Sequence, residues 1–183
     1  MPKPALTFSH FGFFVRDIER MTDFYTRVLG FVVSDRGEIK TPNGPMSFVF
    51  LTRDPREHHQ IVLASGRLDN LPFNAINQIS FRVGSLAALR DFHRGLAKEA
   101  VTEVTPVTHG NALSIYFRDP EGNRIELFLD TPWYVDQPCR EPLDLTQPEE
   151  TIWAGAEKHA RTLPGFKPRA VWEQEMARRM GRA

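Results

Sequence analysis

Thiol chemistry is nearly absent: the chain carries one cysteine, Cys139. That excludes an intrachain disulfide and any zinc site built on several thiolates. No apolar run approaches the roughly 20 residues that cross a bilayer as a helix. The opening Met1-Pro2-Lys3-Pro4-Ala5 has no apolar stretch of the kind a secretion signal carries. An excess of one charge is also missing, since 23 Lys and Arg balance 23 Asp and Glu. Nucleic acid or an anionic membrane, which need a basic surface, are therefore not expected as main partners. There is no Gly-rich phosphate loop and no Gly-x-Ser-x-Gly elbow. The simplest expectation is a cytoplasmic protein.

What the chain does have is the same plan twice. His10-Phe-Gly-Phe-Phe-Val-Arg-Asp-Ile-Glu-Arg-Met-Thr-Asp-Phe-Tyr25 aligns without a gap on Gln78-Ile-Ser-Phe-Arg-Val-Gly-Ser-Leu-Ala-Ala-Leu-Arg-Asp-Phe-His93. Phe13 then falls on Phe81, Val15 on Val83, Asp23 on Asp91 and Phe24 on Phe92. Further on, the segment from Ser47 to Ile61-Val62-Leu63 matches the segment from Ser114 to Ile125-Glu126-Leu127. A repeat implies two similar units around a shared core. The mismatched pairs mark where chemistry is to be sought: His10 with Gln78, Val62 with Glu126, Phe50 with Tyr116. The 14 phenylalanines suit an apolar cavity or a Phe-rich core.

Residues 6–15 read as a strand, and Asp17 caps a helix whose apolar positions run from Ile18 to Leu29 before Gly30 stops it. Strands are expected at 31–35, 46–52 and 60–64, with a turn at Thr41-Pro-Asn-Gly-Pro45. The second unit repeats this with a strand at 77–83, a helix capped by Ser85, and strands at 103–107, 112–118 and 124–129. The expected fold is α+β. Two βαβββ modules, 6–64 and 74–130, form one curved sheet around a cavity within a domain spanning 1–130. From 131 to 183 prolines and all three tryptophans accumulate, which predicts an extended wrap and then helices near 149–163 and 170–179. This tail either closes over the hollow or binds a second subunit, and the expected assembly is a homodimer.

Glu126 sits in Arg-Ile-Glu-Leu-Phe-Leu, where a carboxylate is costly to bury without partners. It shares a strand face with Arg124 and Phe128, and is either a solvent-side carboxylate or a site residue. A hairpin centred on Glu121 places Tyr116 opposite Glu126, as a structural cross-strand pair or as a pair that holds a hydroxylated substrate. His10 and Gln78 begin equivalent strands. Of His58 and His59 only one is expected to face the hollow, and strict alternation from Val62 favours His58. His109 lies in a loop before the Tyr116 strand, as a mobile acid/base group or as a bystander. Cys139 reads as a structural or incidental thiol.

With these residues in view, the chain resembles the vicinal oxygen chelate superfamily over residues 6–130: glyoxalase I, bleomycin-resistance proteins and type I extradiol dioxygenases. The string Thr-His109-Gly…Ile-Tyr116-Phe-Arg-Asp-Pro-Glu-Gly-Asn-Arg-Ile-Glu126-Leu is similar to the terminal signature of the extradiol ring-cleaving branch. By position, that resemblance implies metal ligands at His10, Gln78 and Glu126, an acid/base role for His59, and substrate-facing roles for Tyr116 and His109. Fe(II) is the implied metal, with Mn, Ni, Zn or Co as alternatives, and a small catechol-like aromatic plus O2 are the implied partners. Gln78 departs from the branch, which has a histidine there. Glyoxalase I does use a glutamine ligand, but pairs it with a second glutamate where Val62 stands here. Three activities follow from the resemblance: a catechol-cleaving dioxygenase, a glyoxalase-like metal isomerase or lyase, and a metal-free small-molecule binder of the same fold.

Overall fold

The computed structural model describes residues 6–42, 44–70 and 73–182. The opening residues 1–5, Asn43 of the expected turn, Leu71 and Pro72 between the expected modules, and Ala183 lie outside the described residues. The chain divides into two compact units, residues 1–75 with the loop 119–122, and residues 76–118 with 123–183.

The first unit runs β1 (Phe11–Val15), α1 (Ile18–Asp23) continued by a π-helical turn at Phe24–Val28, β2 (Val32–Thr41), β3 (Gly44–Thr52) and β4 (Ile61–Ser65). Asp17 caps α1 as expected, its carboxylate accepting from the Arg20 N–H at 2.9 Å. The strand order is β1-β4-β3-β2, with β1 parallel to β4 and the remaining pairs antiparallel. Phe13 and Val15 point into the core with Met21, Phe24 and Tyr25, whereas Phe14 stays exposed. That is the period-two division of a strand with one covered face. Glu121 Oε1 accepts from the backbone N–H groups of Arg16 (2.7 Å) and Asp17 (2.8 Å).

The second unit repeats the plan with β5 (Ile79–Arg82), α2 (Leu86–Leu96), β6 (Thr102–Thr108), β7 (Ala112–Arg118) and β8 (Arg124–Asp130). Ser85 Oγ accepts from the Ala88 N–H and caps α2. The pairing registers reproduce the sequence repeat residue for residue. Gly12 lies beside Val62 and Phe50 beside Val62 in the first unit. Ser80 lies beside Glu126 and Tyr116 beside Glu126 in the second. Leu113, Ile115, Phe117, Ile125 and Leu127 are buried along with Leu86, Leu89 and Leu96 of α2.

Three expectations need correction. The single curved sheet is, in its hydrogen bonding, a four-stranded and a five-stranded sheet, because the first strand of each module pairs with the fourth strand of its own module. The first strand begins at Phe11 rather than at residue 6, so His10 precedes it. The second strand extends to Thr41, well beyond residue 35, because β3 continues the hairpin ladder as far as Gly44.

The tail contributes β9 (Trp133–Tyr134), β10 (Glu141–Pro142), α3 (Glu149–Ala160), β11 (Lys167–Pro168) and α4 (Arg169–Arg179). β10 adds to the edge of the second sheet beside β6, and β11 pairs with β9. Ile152, Ala156 and Ala160 form the buried side of α3, the apolar stripe expected from their spacing. Among the described residues no helix is long and apolar enough to cross a membrane.

Gly110 joins the tail to the second sheet. Its carbonyl accepts from Trp133 Nε1 at 2.6 Å and from Thr131 Oγ1 at 3.2 Å. Its φ of +72° is one that side-chain-bearing residues avoid, and a methyl group there would collide with Val135. We predict that Gly110→Ala lowers the unfolding free energy in urea by about 2 kcal/mol or more, summing backbone strain and overpacking. An unchanged denaturation midpoint would show that this contact does not hold the tail.

Candidate active site

Glu126 is only 7% exposed, which disposes of the solvent-side alternative. Its burial is compensated by four hydrogen bonds. Oε2 accepts from Ser80 Oγ at 2.6 Å and Gln78 Nε2 at 3.0 Å. Oε1 accepts from Tyr116 OH at 2.7 Å and Ser114 Oγ at 2.9 Å. Taking a carboxylate out of water costs several kcal/mol, and hydrogen bonds to a charged group return about 1.5–3 kcal/mol each. Four donors therefore suffice to keep the group inside. Sheet geometry supplies them: Ser80 and Tyr116 are the flanking register partners of Glu126, and Ser114 is two residues from Tyr116 on the same face.

His109 extends this network. Its Nδ1 lies 2.6 Å from the Cys139 carbonyl, which only accepts, so Nδ1 carries a hydrogen. Its Nε2 lies 3.0 Å from Tyr116 OH and 3.7 Å from Glu126 Oε1. Tyr116 has one proton, and it faces Glu126. Burial, then the hydrogen bond and charge of Glu126, push the Tyr116 phenol well above its ordinary pKa, against the opposing charges of Arg140 and Arg124. The phenol thus stays a donor at neutral pH.

These side chains open onto a cavity of about 320 Å³ in the second unit. Gln78, His109, Tyr116 and Glu126 line it together with Phe128 and Asp130, and the tail supplies Tyr134, Gln137, Arg169 and Trp172. Tyr134 and Trp172 stack with ring centroids 5.2 Å apart, and Arg169 pairs with Asp130 at 2.9 Å. The tail thus forms part of the wall of this hollow. Its individual lining residues had no signal beyond the clustering of tryptophans. Ser80 and Ser114 were not singled out from sequence, although the alternation that aligns Tyr116 with Glu126 also puts them on that face.

In the first unit His10, an exposed residue, packs its ring on His59 at 4.1 Å, and His59 lies 5.2 Å from Phe50. His58 is exposed and sits 3.9 Å from Asp35. Alternation from Val62 favoured His58, but β4 starts only at Ile61, so its parity does not reach back into the preceding loop. Burial, and next the neighbouring His10 and His58, lower the His59 pKa below its usual value, favouring the neutral imidazole. Cys139 bears no sign of a nucleophile, since burial raises its thiol pKa.

Among the described residues no group of three His, Cys, Asp or Glu side chains is gathered to hold an ion. Gln78 and Glu126 are nevertheless side by side, the Gln78 amide end standing 3.0 Å from Glu126 Oε2. Turning the amide over exchanges its NH2 for its oxygen within the same volume.

Residues 7–127 match the family model described as the Glyoxalase/Bleomycin resistance protein/Dioxygenase superfamily. The chain belongs to this superfamily. Within it, the chain is 29% identical over 173 residues to biphenyl-2,3-diol 1,2-dioxygenase 3 of Rhodococcus globerulus, covering 90% of this chain and 80% of that protein. It is 28% identical over 127 residues to biphenyl-2,3-diol 1,2-dioxygenase 2 of the same organism, covering 67% of this chain and 62% of that protein. Among solved structures, a glyoxylase/bleomycin resistance protein/dioxygenase domain from Frankia sp. EAN1pec aligns with a TM-score of 0.57 and 24% identity, over 70% of this chain and 100% of that one. The fosfomycin resistance protein FosX of Listeria monocytogenes, solved with Mn(II) and sulfate, aligns with a TM-score of 0.52 and 21% identity, over 70% of this chain and 95% of that one. Superfamily membership and the α+β fold are thereby shown, and relatives carry the names of both dioxygenases and resistance proteins.

The Glu126 network is testable without knowing the reaction. In Glu126→Gln the phenol loses a charged acceptor, so Tyr116 is expected to ionise at lower pH, seen as an earlier rise in absorbance at 295 nm. The shift is expected to vanish in the Tyr116→Phe background. Because folding raises this pKa, the bond's contribution to stability is complete below the unfolded value near 10 and is lost as pH rises beyond it. Identical titrations of wild type and Glu126→Gln would contradict the bond.

Proposed function

We propose that the protein is a ring-cleaving dioxygenase of extradiol type that acts on a catechol-like aromatic diol. The observation that carries this reading is the buried Glu126 carboxylate, bonded by Tyr116 and neighboured by His109 at one wall of a cavity of about 320 Å³. The named activities of the two Rhodococcus relatives support it. In this reading His10, Gln78 and Glu126 hold Fe(II), which when bound supplies the redox chemistry between the diol and O2. Ser80 and Ser114 fix the Glu126 carboxylate. Tyr116 donates its hydrogen bond to Glu126 and orients that group, meeting a substrate hydroxyl only on releasing the bond. His109, with Nδ1 anchored on the Cys139 carbonyl, delivers a proton from Nε2 toward a substrate oxygen. His59, kept neutral by burial and its neighbours, accepts and returns a proton as ring cleavage proceeds. The tail's Tyr134 and Trp172 keep water from the cavity.

A second reading is favoured by one observation: Glu126 is satisfied by four protein donors, and an amide stands at Gln78. On that reading the protein binds an aromatic or apolar small molecule without metal. The experiment is anaerobic loading with Fe(II), followed by mono- and bicyclic catechols and then O2. The expected result is a yellow ring-fission product, with a turnover at least about 100-fold lower in His59→Gln. A colourless reaction across the catechol set, with ligand affinity unchanged by a chelator, would replace the first reading with the second.

A further inference from the structure

The second unit has another cavity, of about 340 Å³, beside β10 and α3. Nearly all of its lining lies between Glu141 and His159, beyond the residues 7–127 that match the superfamily. We propose that this cavity is a second ligand site, separate from that of Glu126, which takes a small uncharged molecule bearing an apolar ring and one hydroxyl bonded to the His159 imidazole.

Three observations lead there. Nε2 of His159 is buried and has no hydrogen-bond partner, the one such side-chain atom among the described residues. A buried ring nitrogen without a partner carries a desolvation cost that a ligand hydroxyl removes. The same residue lines the cavity. The walls around it are Pro142, Leu143, Ile152, Gly155 and Ala156, which suit an apolar ring. The charges present are the carboxylates Glu141 and Asp144. Hydrogen bonds from Thr146 and Gln147 hold the Asp144 carboxyl at about 2, so it is ionised at neutral pH and repels anions. The volume falls in the ordinary range for small-molecule pockets.

Phenol, toluene, benzoate and benzylamine titrated into the 15N-labelled full chain test this. Phenol is expected to shift the amide signals of residues 141–147 and 151–159, and to bind about fivefold more tightly than toluene, the worth of one hydrogen bond. His159→Phe should abolish the difference between phenol and toluene. Gly155→Leu should abolish binding of both, since a side chain there grows into open space on a helix that prefers Leu to Gly. Equal affinity for phenol and toluene would overturn the proposal, as would tighter binding of benzoate or benzylamine. So would phenol shifts confined to the surroundings of Glu126, or an unaltered response in either variant.

Discussion

Burial of one carboxylate governs the second unit. Glu126 stands in the middle of β8, on the face it shares with Arg124, Phe128 and Asp130, and its burial without compensation would be destabilising. The register of three strands solves this by bringing Ser80, Ser114 and Tyr116 to the same spot, with Gln78 completing the set. Stability and chemistry then draw on the same atoms. The donors that make burial tolerable also fix the direction of the carboxylate and tie it through Tyr116 to His109, whose far nitrogen is anchored on the tail.

The duplicated plan carries different side chains at equivalent register positions of the two units. Where the second unit has Ser80, Tyr116 and Glu126, the first has Gly12, Phe50 and Val62 at the same register positions. The backbone hydrogen bonds are alike, so the difference lies wholly in the side chains. The apolar version needs no donors, and Gly12 passes close to Val62, leaving 3.4 Å for any Cβ placed there. Near this surface the first unit gathers imidazoles, His10 on His59, rather than carboxylates.

Much of this was legible from residue order. The repeat located both modules, the hairpin count paired Tyr116 with Glu126, and the caps Asp17 and Ser85 were recognisable from their position ahead of apolar helical periods. What was not legible depended on contacts that sequence spacing does not encode. Alternation counted back from Val62 failed at His58 and His59 because a strand's parity ends where its ladder ends. The carboxylate's serines were hidden by their ordinariness, since a serine on a strand face signals nothing until its neighbour is known. The tail's contribution of Tyr134, Arg169 and Trp172 rests on β9–β11 pairing, which no short-range pattern announces.

On the proposed reading Glu126 is a metal ligand whose carboxylate is held in place by Ser80, Ser114 and Tyr116. The most direct measurement is iron content after anaerobic loading and dialysis, in the wild-type protein, Glu126→Gln and Gln78→His. About one Fe(II) per wild-type chain is expected, with its loss in Glu126→Gln and firmer retention in Gln78→His, where imidazole replaces a weaker amide donor. Iron retained equally by wild type and Glu126→Gln, or by neither of them nor Gln78→His, would contradict this reading.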